Sequence, residues 1–171
     1  HGALYIGSPQ QRKALGVGDV SDGFKHSGED VHFLESKKDG VLLRPMSETL
    51  QVDAFAVLRP KLTDEPLAAA LTRALSHAGK LYDFIFDFAT ADRLVCTELI
   101  YRAYHGIGDI TFDLETRAGR NCLSAEDFLN QALEKNMFDL VMLYGIEGDE
   151  RAAGQEARIR LARSFESRFS V

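Results

Sequence analysis

Tryptophan is absent from the 171 residues, and cysteine occurs only twice, at Cys96 and Cys122. Two thiols cannot build a disulfide framework, and their spacing matches no zinc-binding pattern, so both read as free. Positive charge is also short. Lys and Arg number 20 against 26 Asp and Glu, a formal net charge of −6, with a calculated pI near 5.4. No basic cluster offsets that balance, which argues against a nucleic-acid partner, because a phosphate-binding surface needs an excess of Lys and Arg. No apolar run approaches the roughly 20 residues of a membrane-spanning helix. No signal peptide stands at the front. The chain opens directly on a strand-like segment with no lead-in, so it reads as a domain trimmed at its start. Localisation, membrane or cell-envelope association and oligomeric state therefore stay open. There are no internal repeats and no low-complexity linkers.

What is present is enough for one core. Apolar residues make up 45% of the sequence, and at this length a single domain over 1–171 is expected. Residues 3–6 form a short apolar run closed by Gly7, Ser8 and Pro9, a buried strand followed by a cap and first-turn pair for a short helix to Leu15. Residues 16–30 are rich in Gly, Asp and Ser and read as a surface loop that holds His26. Residues 31–35 and 40–45 flank the turn sequence Ser36, Lys37, Lys38, Asp39, Gly40 and read as an antiparallel hairpin. A helical turn at 47–50 and a strand at 52–58 follow, so a sheet is assembled before any long helix.

Thr63, Asp64, Glu65 and Pro66 start a helix that carries Leu67, Ala70, Leu71, Ala74 and Leu75 on one face until Gly79. Residues 81–88 alternate in their aromatic positions around Asp83 and Asp87. Residues 110–114 suggest a short strand, 123–135 a capped helix and 138–146 a buried strand. The tail, 149–169, reads as helical with a stripe of Ile159, Ala162, Phe165 and Phe169. Early strands, a central helix and a late strand give an α+β domain with an antiparallel sheet.

The stretch 92–106 carries the chemistry. Cys96, Leu99, Ile100, Ala103 and Tyr104 recur at the spacing of one buried helical stripe, and Gly106 is a natural stop. Cys96 then lies in the first turn, where unpaired N–H groups and the positive end of the helix dipole favour a thiolate. The same N–H groups are candidate donors to an oxyanion. The alternative reading makes Cys96 a small core residue on that stripe.

Three separated segments together resemble one family. The run from His1 through Gly2, Ala3, Leu4, Tyr5 and Ile6 to Gly7 resembles the histidine strand of the circularly permuted NlpC-type, papain-like cysteine hydrolases, the YiiX/YebB-like branch. Phe33, Leu34, Glu35 and Ser36 look like its "apolar, Glu, small" strand. Tyr82-Asp83 and Cys96-Thr97-Glu98-Leu99 look like its two remaining signatures. The order is permuted, since the cysteine helix follows the histidine strand.

The resemblance implies a papain-like fold and a cysteine amidase or peptidase with Cys96 as nucleophile, His1 as base and Glu35 orienting the imidazole, with no cofactor and no metal. It implies a small peptide or N-acyl substrate, such as a cell-wall peptide; a lipid acyltransferase of the lecithin retinol acyltransferase type and a non-catalytic binding module are the rivals. Tyr82 and Asp83 are candidate substrate-binding residues. The residues themselves permit the triad, because an imidazolium holds a thiolate ionised near neutral pH and a carboxylate fixes the other ring nitrogen. Glu98 reads as a brace for a neighbouring loop, Cys122 as a spectator, His32 as out of phase with Glu35, and His77 and His105 as helix-end residues.

Overall fold

Local sequence chemistry sets the elements before packing arranges them. The computed structural model describes residues 1–18, 28–86, 88, 92–146 and 151–166, the side chains of 165 and 166 excepted. His26, Asp87 and Phe169 lie outside the described residues. In chain order the elements are β1 (Ala3–Tyr5), α1 (Pro9–Ala14), β2 (Val31–Lys37), β3 (Gly40–Pro45), α2 (Met46–Thr49), β4 (Phe55–Pro60), α3 (Asp64–Leu75) and β5 (Leu81–Tyr82). They continue with β6 (Arg93–Leu94), α4 (Cys96–Tyr104), β7 (Glu115–Arg117), β8 (Arg120–Cys122), α5 (Ala125–Glu134), β9 (Phe138–Tyr144) and α6 (Gly154–Glu166). Ser8 starts α1 and Ser124 starts α5 with complete capping boxes, each serine satisfying an N–H that the helix leaves unpaired.

β1, β2 and β3 form an antiparallel sheet in chain order. The β2–β3 turn closes where Gly40 adopts φ 110°, and a Cβ there would lie 2.7 Å from the Lys80 carbonyl oxygen. Glycine alone permits both the backbone and the approach. That approach matters, because Val41 N–H donates to Lys80 C=O at 2.8 Å and ties the hairpin to β5.

Two expectations are corrected by this topology, for β4 and for residues 110–114. β4 does not extend the early sheet; it pairs antiparallel with β9 from the far end of the chain. The alternating aromatic stretch, among its described residues, gives Leu81 and Tyr82 to a strand, paired in parallel with β6. Residues 110–114 make one bridge, Ile107 to Ile110, and the hairpin in this region is β7–β8, built from polar residues.

Leu99, Ile100, Ala103 and Tyr104 of α4 are buried against Leu4, Leu34, Leu43 and the α3 residues Ala70, Leu71 and Ala74. A smaller core of Leu140, Leu143, Ala152, Ala157 and Leu161 joins β9 to α6. The buried face of α6 is thus Ala157 and Leu161, while Ile159 is 45% exposed. Of the expected stripe, Ile159 and Ala162 are exposed; among the described side chains of α6 the i, i+4 pair Ala157 and Leu161 is the one buried with β9. Among the described residues no helix is long and apolar enough to cross a membrane.

Candidate active site

The cysteine helix begins without a side-chain cap. Val95 holds the N-cap position in an extended conformation and offers its first turn no acceptor. Those N–H groups therefore remain available, and the Cys96 sulfur accepts from Thr97 N–H and from Gly2 N–H, just ahead of β1. A Cβ on Gly2 would sit 2.5 Å from Ile100 Cδ1 of α4, the end of a side chain that would have to turn aside.

β1 and β2 pair Ala3 with Glu35, which brings the residue two positions before Ala3 over the same carboxylate. His1 Nε2 lies 2.7 Å from Glu35 Oε2, and the imidazole also hydrogen-bonds Cys96, for which Nδ1 is the remaining nitrogen. Glu35 is fully buried beneath it. Its Oε1 accepts from Thr49 Oγ1 at 2.8 Å, lies 3.1 Å from Lys37 Nζ, and has Arg44 Nε at 3.4 Å. The structure thus brings Cys96, His1 and Glu35 together, with His1 in contact with both of the others.

The ionisation of the three groups follows from these contacts. Hydrogen bonds with Cys96 and then Glu35 raise His1 from its ordinary 6.5 to about 9, against the opposing effect of burial. Burial pushes Cys96 up, but the His1 hydrogen bond, the two backbone N–H groups and the imidazolium charge bring it below its ordinary value. Glu35 is likewise raised by burial, and the bonds from His1, Thr49 and Lys37 outweigh this and hold it at about 2. Each shift favours a thiolate–imidazolium pair over a buried anion that never titrates near neutrality.

An open groove runs past His1 between the β2–β3 turn and the segment that follows β5. Ser36, Lys37, Lys38 and Asp39 line it from the turn; Tyr82, Phe84 and Phe86 line it from the segment. Tyr82 has its hydroxyl pKa raised by burial first and then by the charge of Cys96. It stays a neutral O–H donor close to the sulfur. Asp83 is placed differently from its expected substrate-binding role. It is buried and absent from the groove lining, and its Oδ1 accepts from Ile85 N–H at 2.8 Å, shaping the loop from inside. A second depression along α6, bounded by Gln155, Ile159 and Arg163, contains none of these residues.

Other residues sort by their surroundings. Glu98 is fully buried and pairs with Arg102, which also donates to Phe88 C=O at 3.1 Å, so it braces the loop after β5. His32 is stacked on Tyr5, and His105 accepts from Phe112 N–H while stacked on Tyr101. His77 is held neutral by burial, its pKa lowered to about 4. Cys122 ends β8, opposite Glu115. Two positioning contacts were not anticipated. Ser36 Oγ donates to Leu94 C=O at 2.6 Å, fixing β6 directly ahead of α4, and Thr49 supports Glu35. A small residue after the glutamate was the only sign of the first; nothing in the sequence marked Thr49.

A family model described as permuted papain-like amidase enzyme, YaeF/YiiX, C92 family, matches residues 1–136. The chain belongs to this family. The C92 match makes the protein a cysteine-dependent hydrolase and accounts for the mixed helix and sheet of a permuted papain-like fold. Of solved structures, the chain is similar to the crystal structure of the metalloprotein YiiX from Escherichia coli O157:H7, at 18% identity, with 92% of this chain and 88% of that chain covered and a TM-score of 0.42. No curated protein matches the sequence. Among the described residues no group of three or more His, Cys, Asp or Glu side chains is arranged to hold a metal ion.

Proposed function

We propose that this C92 enzyme cleaves an amide bond through a thioester on Cys96, in a cell-wall peptide or an N-acylated small molecule. The observation that carries the reading is the continuous contact from Glu35 through His1, at 2.7 Å, to Cys96. The thiolate attacks the carbonyl carbon, and the C=O electrons move to oxygen. Tyr82 O–H and the uncapped N–H groups at the start of α4 are the candidate donors to that oxygen. As the tetrahedral adduct collapses, the C–N bond breaks and the His1 imidazolium gives its proton to the departing amine. Water, deprotonated by the now neutral His1, then attacks the thioester and releases the acid. Glu35 keeps the ring oriented and stabilises its cationic form throughout.

Iodoacetamide near pH 6 tests the activated thiol. Stoichiometric labelling of Cys96 ahead of Cys122 supports it, and equal, slow labelling of both overturns it. Muropeptides and N-acyl amino acids followed by mass spectrometry then report cleavage.

A second reading, transfer or hydrolysis of lipid acyl groups, is favoured by one observation. Phe84, Ile85 and Phe86 are 67%, 57% and 52% exposed beside the groove, an apolar surface of the kind that acyl chains or a membrane would cover. Acyl phospholipids in the same mass-spectrometric assay separate the two readings.

A further inference from the structure

The segment after β5 presents large apolar side chains to water while its backbone is held from several directions. Ile85 N–H donates to buried Asp83, and Ile85 C=O accepts from Arg120 Nη1 at 3.0 Å. Phe88 C=O accepts from Arg102, which Glu98 anchors to the cysteine helix. Phe86 is held at φ 59°, a region that non-glycine residues enter only when surroundings impose it. Phe84 and Phe86 both pack edge-on against Tyr82, at 4.9 and 6.2 Å between ring centroids. The exposed rings therefore form a fixed apolar wall that begins at the tyrosine beside Cys96.

The opposite composition comes from the β2–β3 turn. Lys37 is matched by Glu35, and Asp39 and Glu48 are matched by Arg44. Lys38 is exposed, lines the groove, and makes no ion pair among the described residues. Lys38 is thus the one charged side chain of the lining with no ion-pair partner among the described residues. A ligand that fits has an apolar portion against Phe84 and Phe86, an anion within reach of Lys38, and a scissile carbonyl at the His1 end of the groove, where the imidazole meets Cys96.

We infer that the substrate class is an N-acyl amino acid: a hydrocarbon acyl group lies on Phe84 and Phe86, and the amino-acid carboxylate faces Lys38. This rests on the amidase reading above and narrows it. Hydrolysis consumes one water and yields a free fatty acid and a free amino acid, with Cys96 and His1 returned to their starting states.

The test compares N-decanoylglycine, N-acetylglycine and N-decanoylglycinamide as substrates of the whole chain, scored by release of glycine or glycinamide. N-Decanoylglycine should have the highest kcat/KM, with about a twofold gain for each methylene added across the intermediate chain lengths. It should exceed the uncharged amide about fivefold, the size of a partly exposed ionic contact. F84A and F86A should flatten the chain-length dependence. K38Q should bring the ratio of N-decanoylglycine to N-decanoylglycinamide towards one, and K38E should invert it. Absence of chain-length dependence, or a ratio indifferent to K38Q and K38E, overturns the inference. Fatty-acid release from phosphatidylglycerol vesicles without turnover of N-decanoylglycine also overturns it, assigning the wall to a lipid surface. If Cys96 labels with iodoacetamide near pH 6 and no N-acyl compound is cleaved, the substrate class fails and the activated nucleophile stands; if Cys96 does not label selectively, the amidase mechanism itself fails.

Discussion

Glu35 grips His1 from below: a carboxylate side chain only 1% exposed holds Nε2 of a 45% exposed imidazole at 2.7 Å. The buried partner is fixed by its surroundings, so the solvent-facing ring takes its orientation from it. Replacing Cys96 with alanine should be at least as damaging as His1→Ala, and both should exceed Glu35→Gln. The first two should lower kcat by about a thousandfold or more. Glu35→Gln retains an acceptor and loses the charge that stabilises the imidazolium. Steady-state kinetics that put Glu35→Gln level with Cys96→Ala would contradict this order. In His1→Ala the thiol pKa should climb towards about 8.5, read from the pH dependence of alkylation.

Activity should describe a bell in pH. The acid limb follows thiolate formation at Cys96, which lies below the ordinary thiol value, and the basic limb follows loss of the His1 proton near 9. For stability the signs are opposite for the two partners. His1 is raised above its ordinary 6.5, so its contribution is complete below that pH and disappears as pH rises through about 9. Glu35 is depressed from 4.5 to about 2, so its contribution is present above 4.5 and is lost as pH falls towards 2. Thermal unfolding across pH 2 to 10 should show a larger acid-side loss in the parent than in Glu35→Gln, which keeps only the share due to other depressed carboxylates such as Asp39 and Asp127.

Glu98 runs the other way for an acid. Burial raises it to about 7, more than the Arg102 bonds lower it, and its Oε2 has no hydrogen-bond partner among the described residues. The folded protein then holds a proton that the unfolded chain releases above 4.5. Stability from this group is complete below 4.5 and declines as pH rises through about 7. Glu98→Gln, which can still accept from Arg102, should abolish that decline and raise Tm relative to the parent by a few degrees at pH 8. A Tm difference that does not change between pH 5 and pH 8 would rule the account out.

Gly40→Ala places a Cβ against the Lys80 carbonyl and asks alanine to adopt φ 110°. It should destabilise the fold by about 2 kcal/mol or more, measured by urea unfolding. Because the same turn carries Lys37 and Lys38 into the groove, KM should rise as well. Ser36→Ala removes the 2.6 Å bond to Leu94 C=O and should cost about 1–2 kcal/mol, with kcat falling as the start of α4 loses its tether.

What the sequence determined by itself is what depends on near neighbours along the chain. The stripe of Leu99, Ile100, Ala103 and Tyr104 is a matter of helical spacing, and it does face the core. Ser8 and Ser124 cap through residues three positions away, and the β2–β3 hairpin closes over two residues. Tertiary structure decided whatever depends on a partner far away in sequence. The alternation in 81–88 carried no information on which strand would pair with it; the partner is β6, and beyond Tyr82 the rings of Phe84 and Phe86 are exposed while Phe88 turns into the core against Tyr101. β4 likewise waits for β9, some 80 residues later. Asp83 and Lys38 look equally polar as letters, yet one is buried under the loop and the other stands open in the groove. The family resemblance singled out Cys96, His1 and Glu35, but their ionisation was not legible in it. That depends on Thr49, Lys37 and two backbone N–H groups converging on a buried carboxylate and a half-buried sulfur, distances that only the packed chain defines.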